Sequence, residues 1–183
     1  KPTYDLPLPD AIEWEDALPV AMAISAILFD LENKEALKIC RSVADIRATL
    51  AAGRMAAIFH LEGAEAIDPD LYTLEVLYQA GLRSIGPVWS RPTIFGNGVP
   101  FRYPSDADIG VGLTDHGLRL VKRCDELGVM VDLSHLNAAG FWDVARNSTK
   151  PLVATHSNAH SICPHSRNLT DDQLAAIKNS DGM

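Results

Sequence analysis

Apolar and polar positions change period along the chain, and the change divides it into elements. From Ala17 to Leu31 the apolar residues Leu18, Ala21, Met22, Ile24, Ile27, Leu28 and Leu31 fall at helical spacing on one wide face. Residues 1–17 hold Pro2, Pro7 and Pro9 among acidic residues and predict irregular structure. Ser42 predicts a cap for a short helix over Val43–Leu50, stopped at Gly53. From there the pattern is strand followed by helix. Met55–Leu61, Arg83–Val88, Val129–Ser134 and Leu152–Thr155 are short apolar runs that fit buried strands. Helices are predicted over Leu71–Gln79, Thr114–Leu127 and Asn137–Asn147, and from Thr170 through Ile177, with Gly81 and Gly128 as stops. A long loop rich in Gly, Pro and aromatics spans Trp89–Gly112.

Four strand–helix units in succession imply a parallel α/β sheet covered by helices. Two architectures compete, an open doubly wound sheet and a (β/α)8 TIM-type barrel. Neither G-x-G-x-x-G nor G-x-x-x-x-G-K-[ST] occurs, which removes the usual phosphate loop of a nucleotide-binding open sheet. The 183 residues suggest one domain, with 1–41 as an N-terminal insertion and helix and 42–183 as the strand–helix units.

Composition narrows the partners. Hydrophobic residues make up 47% and charged residues 22%, an ordinary globular balance. The net charge of −8 argues against nucleic acid or an anionic membrane as the main partner. Pro19, Ser25 and Asp30 interrupt the longest apolar stretch, which is too short to span a bilayer. Cys40, Cys124 and Cys163 are odd in number and lack a C-x-x-C pair, so they are expected as small buried residues in a reducing compartment.

Polar groups collect where the predicted strands end: His60-Leu61-Glu62-Gly63, Trp89-Ser90-Arg91, Asp132-Leu133-Ser134-His135 and Thr155-His156-Ser157-Asn158. In parallel α/β folds the site lies at that edge. One Glu and two neutral imidazoles, delivered from three strands, are a common ligand set for a catalytic zinc, which singles out Glu62, His135 and His156. His60 shares a strand face with Glu62 by period two. His116 sits at a helix start and is expected in solvent, and His160 and His165 lie in the loop after the fourth strand. Asp132 either orients a ligand from behind or caps a strand end.

The segments Phe59-His60-Leu61-Glu62-Gly63, Val131-Asp132-Leu133-Ser134-His135, Thr155-His156-Ser157-Asn158-Ala159-His160-Ser161 and Ser166-Arg167-Asn168-Leu169 resemble the membrane (renal) dipeptidase family of amidohydrolase-like metal-dependent enzymes. The resemblance covers about residues 42–183, and Gly86-Pro87-Val88-Trp89-Ser90-Arg91-Pro92 is similar to the family's bacterial branch. It implies a (β/α)8 barrel, two zinc ions and hydrolysis of small dipeptides in the cytoplasm of a bacterium, with a homodimer as one assembly it allows. It implies that Glu62 is both catalytic and metal-ligating, that His135 and His156 hold the second zinc, and that Arg167 binds the substrate carboxylate. Trp89 stands where animal members place a substrate-contacting His. The family's His-x-Asp pair for the first metal occurs nowhere in the chain, and its late-strand Asp would lie beyond Met183. The chain is therefore expected to be the central segment of a longer enzyme and inactive by itself. The competing readings are another amidohydrolase-type reaction on a lactone or amide, and an inactive metal-binding fragment of a barrel.

Overall fold

The computed structural model describes residues 3–183. At its centre, β4 (Phe59–Glu62), β5 (Leu82–Gly86) and β7 (Met130–Val131) form a parallel sheet in that order. Val153 adds a fourth position through a parallel bridge to Asp132. β2 (Lys38–Ile39) pairs in parallel with β3 (Ala56–Ala57). β3 and β4 are two pieces of the single predicted run Met55–Leu61, interrupted at Ile58, and the register shifts again between Phe59 and His60. Each parallel strand lies beside its predecessor, without the reversal of order that marks a doubly wound sheet. Among the described residues the sheet is open and no barrel closes.

The strands are shorter than their apolar runs. Leu133 N–H donates to Val153 O at 2.8 Å, but two residues on Thr155 N–H donates to the Asp132 carboxylate at 3.0 Å. A side chain has taken over from the backbone ladder there, so Leu152–Thr155 keeps one bridge, at Val153, and turns at Thr155 without forming a regular strand.

The connecting helices are α2 (Val43–Ala51), α3 (Tyr72–Ala80), α4 (Asp115–Leu127) and α5 (Ala138–Asn147), followed by α6 (Asp171–Asn179). The side chains of Ser42, Thr114, Asn137 and Thr170 each accept a backbone N–H three residues on, and Gln173 completes a capping box with Thr170. The helices bury their apolar stripes, Leu74 and Leu77 of α3, Leu120, Val121 and Cys124 of α4, and Phe141 and Val144 of α5, against Phe59, Leu82, Ile85 and Leu133. Cys40 and Cys124 are buried and Cys163 half-buried, all as free thiols.

The N-terminal region differs from its sequence pattern. β1 (Tyr4–Asp5) pairs antiparallel with β6 (Arg102–Tyr103), inside the long loop, where no strand is predicted. β2 is likewise unpredicted. α1 (Trp14–Asn33) starts earlier than expected, tolerates Pro19 and is anchored by Trp14 Nε1–H donating to Ala66 O at 3.1 Å. It meets the core through Leu28 and through Phe29, edge-on to Phe59. Val20, Met22, Ile24, Ile27 and Leu31 stay exposed among the described residues, so the wide apolar face is not a buried one.

Candidate metal centre

Three strand ends deliver Glu62, His135 and His156 to one point. Glu62 is the last residue of β4, and the two histidines follow β7 and the Val153 bridge. His135 Nε2 lies 3.0 Å and His156 Nε2 3.1 Å from the same oxygen, Glu62 Oε1. One donor atom from each residue falls within 4.8 Å of the others. Donor atoms sharing one ion should sit roughly 3–4 Å apart, since each bond is about 2 Å long.

The two imidazoles reach this point from different surroundings. His135 is 4% exposed, against a wall of Trp89 and Phe101 whose ring centroids lie 6.0 and 6.4 Å away. Its backbone is left-handed, at φ 73°, a conformation that costs a non-glycine residue about 1–3 kcal/mol. Val99 N–H donates to its carbonyl at 3.0 Å and helps hold that turn. Burial pushes the His135 imidazole down to about 3, with the Arg167 guanidinium and His156 acting in the same direction. At neutral pH it is uncharged, as a metal ligand must be. Its Nδ1 lies 3.2 Å from the hydroxyl of the fully buried Ser90. His156 is 43% exposed, and its Nδ1 is 2.7 Å from Thr155 Oγ1.

Asp132 lies beneath the cluster, 1% exposed. Ser134 N–H and Thr155 N–H donate to its Oδ1, both at 3.0 Å, and the Thr155 hydroxyl donates to Oδ2 at 2.5 Å. Burial by itself would raise this carboxyl, but the Thr155 and Ser134 hydrogen bonds hold it below the usual range. Of the two sequence readings of Asp132, the strand-end role is present, and the same carboxylate also lies behind a candidate ligand.

Arg167 stands at the rim. Its Nη2 donates to His156 O at 3.4 Å, while Nη1 is buried without a partner. Trp89 lies tilted against Phe101, with ring centroids 5.6 Å apart, and carries the Arg91 guanidinium 5.2 Å from its ring centroid. The other histidines are occupied elsewhere. His60 Nδ1 contacts Ser84 Oγ at 2.7 Å and its Nε2 lies 4.0 Å from Asp132, not at Glu62. His116 pairs with Arg119, His160 donates to Ser105 O, and His165 meets the Tyr4 hydroxyl.

Sequence reasoning did not single out Arg91, Glu65, Ser90 or Thr155. Arg91 Nε is buried without a hydrogen bond, 3.9 Å from Glu65, beside a cleft of about 450 Å³ between Glu62, Trp89 and α1. Ser90, Arg91 and Thr155 lie in the polar strand-end segments Trp89-Ser90-Arg91 and Thr155-His156-Ser157-Asn158, and that placement was the available signal.

The arrangement defines a parallel α/β protein with an acid–imidazole cluster, able to hold a cation, at the carboxyl edge of its sheet. The family model of membrane dipeptidases (peptidase family M19) matches residues 12–183, and the chain belongs to that family. A metallo peptidase from Rhodobacter sphaeroides, solved with a phosphinate mimic of the dipeptide L-Ala-D-Ala, is 54% identical and superposes with a TM-score of 0.98 over 100% of this chain and 53% of its own. An uncharacterized protein in the PQQ-III 3' region of Acinetobacter calcoaceticus is 47% identical over 147 residues, 80% of this chain and 47% of that protein. Dipeptidase aclJ of Aspergillus oryzae is 29% identical over 144 residues, 78% of this chain and 33% of that protein. The chain thus spans about half the length, or less, of the relatives it matches.

Proposed function

We propose that this chain carries part of the active site of a zinc-dependent dipeptidase, and that its parallel strands are one wall of a (β/α)8 barrel. The observation that carries the reading is the meeting of two imidazole Nε2 atoms on one carboxylate oxygen, Glu62 Oε1, at 3.0 and 3.1 Å. The sequential strand order supports the barrel, because consecutive parallel neighbours are how a barrel wall is laid down. Glu62, His135 and His156 would hold zinc, with Glu62 reaching a second zinc as well. When bound, zinc supplies a water nucleophile at neutral pH and polarises the peptide carbonyl.

The chain's own residues do the rest. The unpartnered Nη1 of Arg167 gives a free carboxylate a charge-assisted hydrogen bond, which sets which end of a dipeptide faces the cluster. Trp89 and Phe101 wall off His135, keep bulk water from that side, and border the space for a substrate side chain. No helix among the described residues is long and apolar enough to cross a membrane. The reading takes the protein as a cytoplasmic enzyme of bacterial type and allows a homodimer.

Zinc content measured by mass spectrometry tests the ligand set. In the intact enzyme, His135→Ala and His156→Ala should each lose metal, whereas His116→Ala should keep it. A panel of dipeptides, C-terminally amidated dipeptides and lactones, assayed with the intact enzyme, tests the substrate class. Arg167→Met should raise KM for free dipeptides and leave amidated ones unchanged. Equal zinc in all three histidine variants, or preferred turnover of lactones, would overturn the reading.

A further inference from the structure

We propose that Asp132 and Thr155 form a positioning relay that fixes a proton on His156 Nδ1, so that Nε2 is the nitrogen a cation at Glu62 can use. The inference rests on the reading of His156 as a metal ligand and follows from counting hydrogens. Asp132 Oδ1 receives two backbone N–H groups, from Ser134 and Thr155, which can only donate. Oδ2 lies 2.5 Å from Thr155 Oγ1, and a carboxylate can only accept. The single hydroxyl hydrogen of Thr155 is therefore spent on Asp132. What Thr155 Oγ1 presents to His156 Nδ1, 2.7 Å away, is a lone pair. The hydrogen in that contact comes from the ring. Nε2 faces the Glu62 carboxylate at 3.1 Å, which also can only accept, so without a cation any hydrogen in that contact is the ring's as well. A cation takes the place of that hydrogen, and the ring that keeps Nδ1–H then offers its Nε2 lone pair.

His135 has no such device. Its Nδ1 meets Ser90 Oγ alone, at 3.2 Å, and that hydroxyl can either donate or accept. Two candidate ligands of one cluster thus differ in how their tautomers are set, one by a carboxylate through a hydroxyl, the other by burial beside a rotor.

Asp132→Asn reverses the relay without removing an atom position. The two backbone N–H groups pin the amide oxygen at the Oδ1 place, so the NH2 group occupies the Oδ2 place and donates to Thr155. The threonine hydrogen then turns to His156 Nδ1, and the ring carries its proton on Nε2, where it blocks ligation. Long-range 1H–15N spectra of the metal-free protein read the tautomer directly, with His156→Ala identifying the signal. The parent should show a proton on His156 Nδ1, and Asp132→Asn should show Nε2–H with Nδ1 bare. Zinc affinity, from chelator competition, should fall roughly 10–100-fold in Asp132→Asn, the usual effect of losing a partner behind a ligand. Thr155→Val should fall in the same direction and Thr155→Ser should recover the parental affinity, a pair that still decides the matter should Asp132→Asn fail to fold. A bare Nδ1 in the parent, or parental zinc affinity in Thr155→Val, overturns the relay. Parental zinc affinity in His156→Ala overturns instead the ligand reading beneath it, and the tautomer measurement tells the two failures apart.

Discussion

Asp68 and Asp132 are both nearly buried carboxylates that accept backbone N–H groups, and they serve the molecule at different ranges. Asp68 is 9% exposed, and its donors are the backbone of Asp70, Tyr72 and Thr73, at 3.2, 3.1 and 2.7 Å. All three lie within five residues, at the start of α3. That helix needs them, because its N-cap position is Leu71, left-handed at φ 65° and without a side-chain oxygen to offer. Asp132 reaches two residues on to Ser134 and 23 residues on to Thr155. It ties together two neighbouring strand ends and stands behind His156. Burial alone would raise both carboxyls, and in both the hydrogen bonds prevail and hold the group low. Equal chemistry therefore carries unequal weight. The local carboxylate finishes one helix, and the long-range one joins the sheet to the site.

The sharpest way to break this comparison is Asp132→Ala. It strips the acceptor from the buried Ser134 backbone and from Thr155 together, and an unsatisfied buried donor costs about 1–3 kcal/mol. Urea unfolding should show a loss of about 2–4 kcal/mol, with the zinc affinity of the folded fraction reduced as well. A variant that lost metal affinity with parental stability would show that Asp132 serves the cluster alone and does not join the strands.

That difference in range also decides what the sequence could show. Ser42, Thr114, Asn137 and Thr170 cap their helices where their sequence positions predict, since a cap and its N–H partner lie three residues apart. Glu62, His135 and His156 were legible because each ends an apolar run, and parallel strands place their ends on one edge. The missing parts are long-range or very short. β1 and β6 join Tyr4 to Tyr103, and nothing local in either two-residue segment announces the other. β2 is two residues long, too short to show a period. The takeover of the ladder at Thr155 by a side chain of Asp132 is a fact of packing, and it shortened a strand that the apolar pattern had drawn longer. The wide apolar face of α1 shows the reverse. Its helical period is correct, yet period alone does not say what the face meets.

A smaller effect is expected from Asp68→Ala. Losing a carboxylate that caps a helix start costs about 0.5–2 kcal/mol, and zinc content should stay parental because Asp68 is not part of the cluster. The pH dependence gives the variant a signature. The folded-state carboxyl lies below its ordinary value of 3.8, so its contribution is fully present above that value and is lost as pH falls through the folded one. The stability gap between parent and Asp68→Ala should be constant from neutral pH down to about pH 5 and should close in stronger acid. A gap that widened in acid would mean that the parent carboxyl is raised, with burial outweighing its three donors.

Glu75 supplies the control at the far end of the scale. It lies on α3, a few residues beyond the start that Asp68 completes, and its Oε1 lies 2.5 Å from Arg123 Nε on α4. That contact is as short as any polar contact Asp132 makes, and the Arg123 hydrogen bond holds the Glu75 carboxyl low as well. Its partner is a charged guanidinium where Asp132 has a hydroxyl, yet the surroundings work against the pair, since Glu75 and Arg123 are 40% and 36% exposed. Arg123 also keeps a second acid, Glu126, at 2.8 Å, so it is not stranded when Glu75 is neutralised. In water and salt such a pair gains little, because solvent screens the attraction and two long side chains lose freedom to form it. Glu75→Gln should leave the urea midpoint unchanged within the error of the fit, at low salt as at high salt. A clear loss of stability at low salt, absent at high salt, would show that pairing without burial is enough to matter here. In that case the contrast between Asp68 and Asp132 would have to be redrawn in terms of charge and not of burial and range.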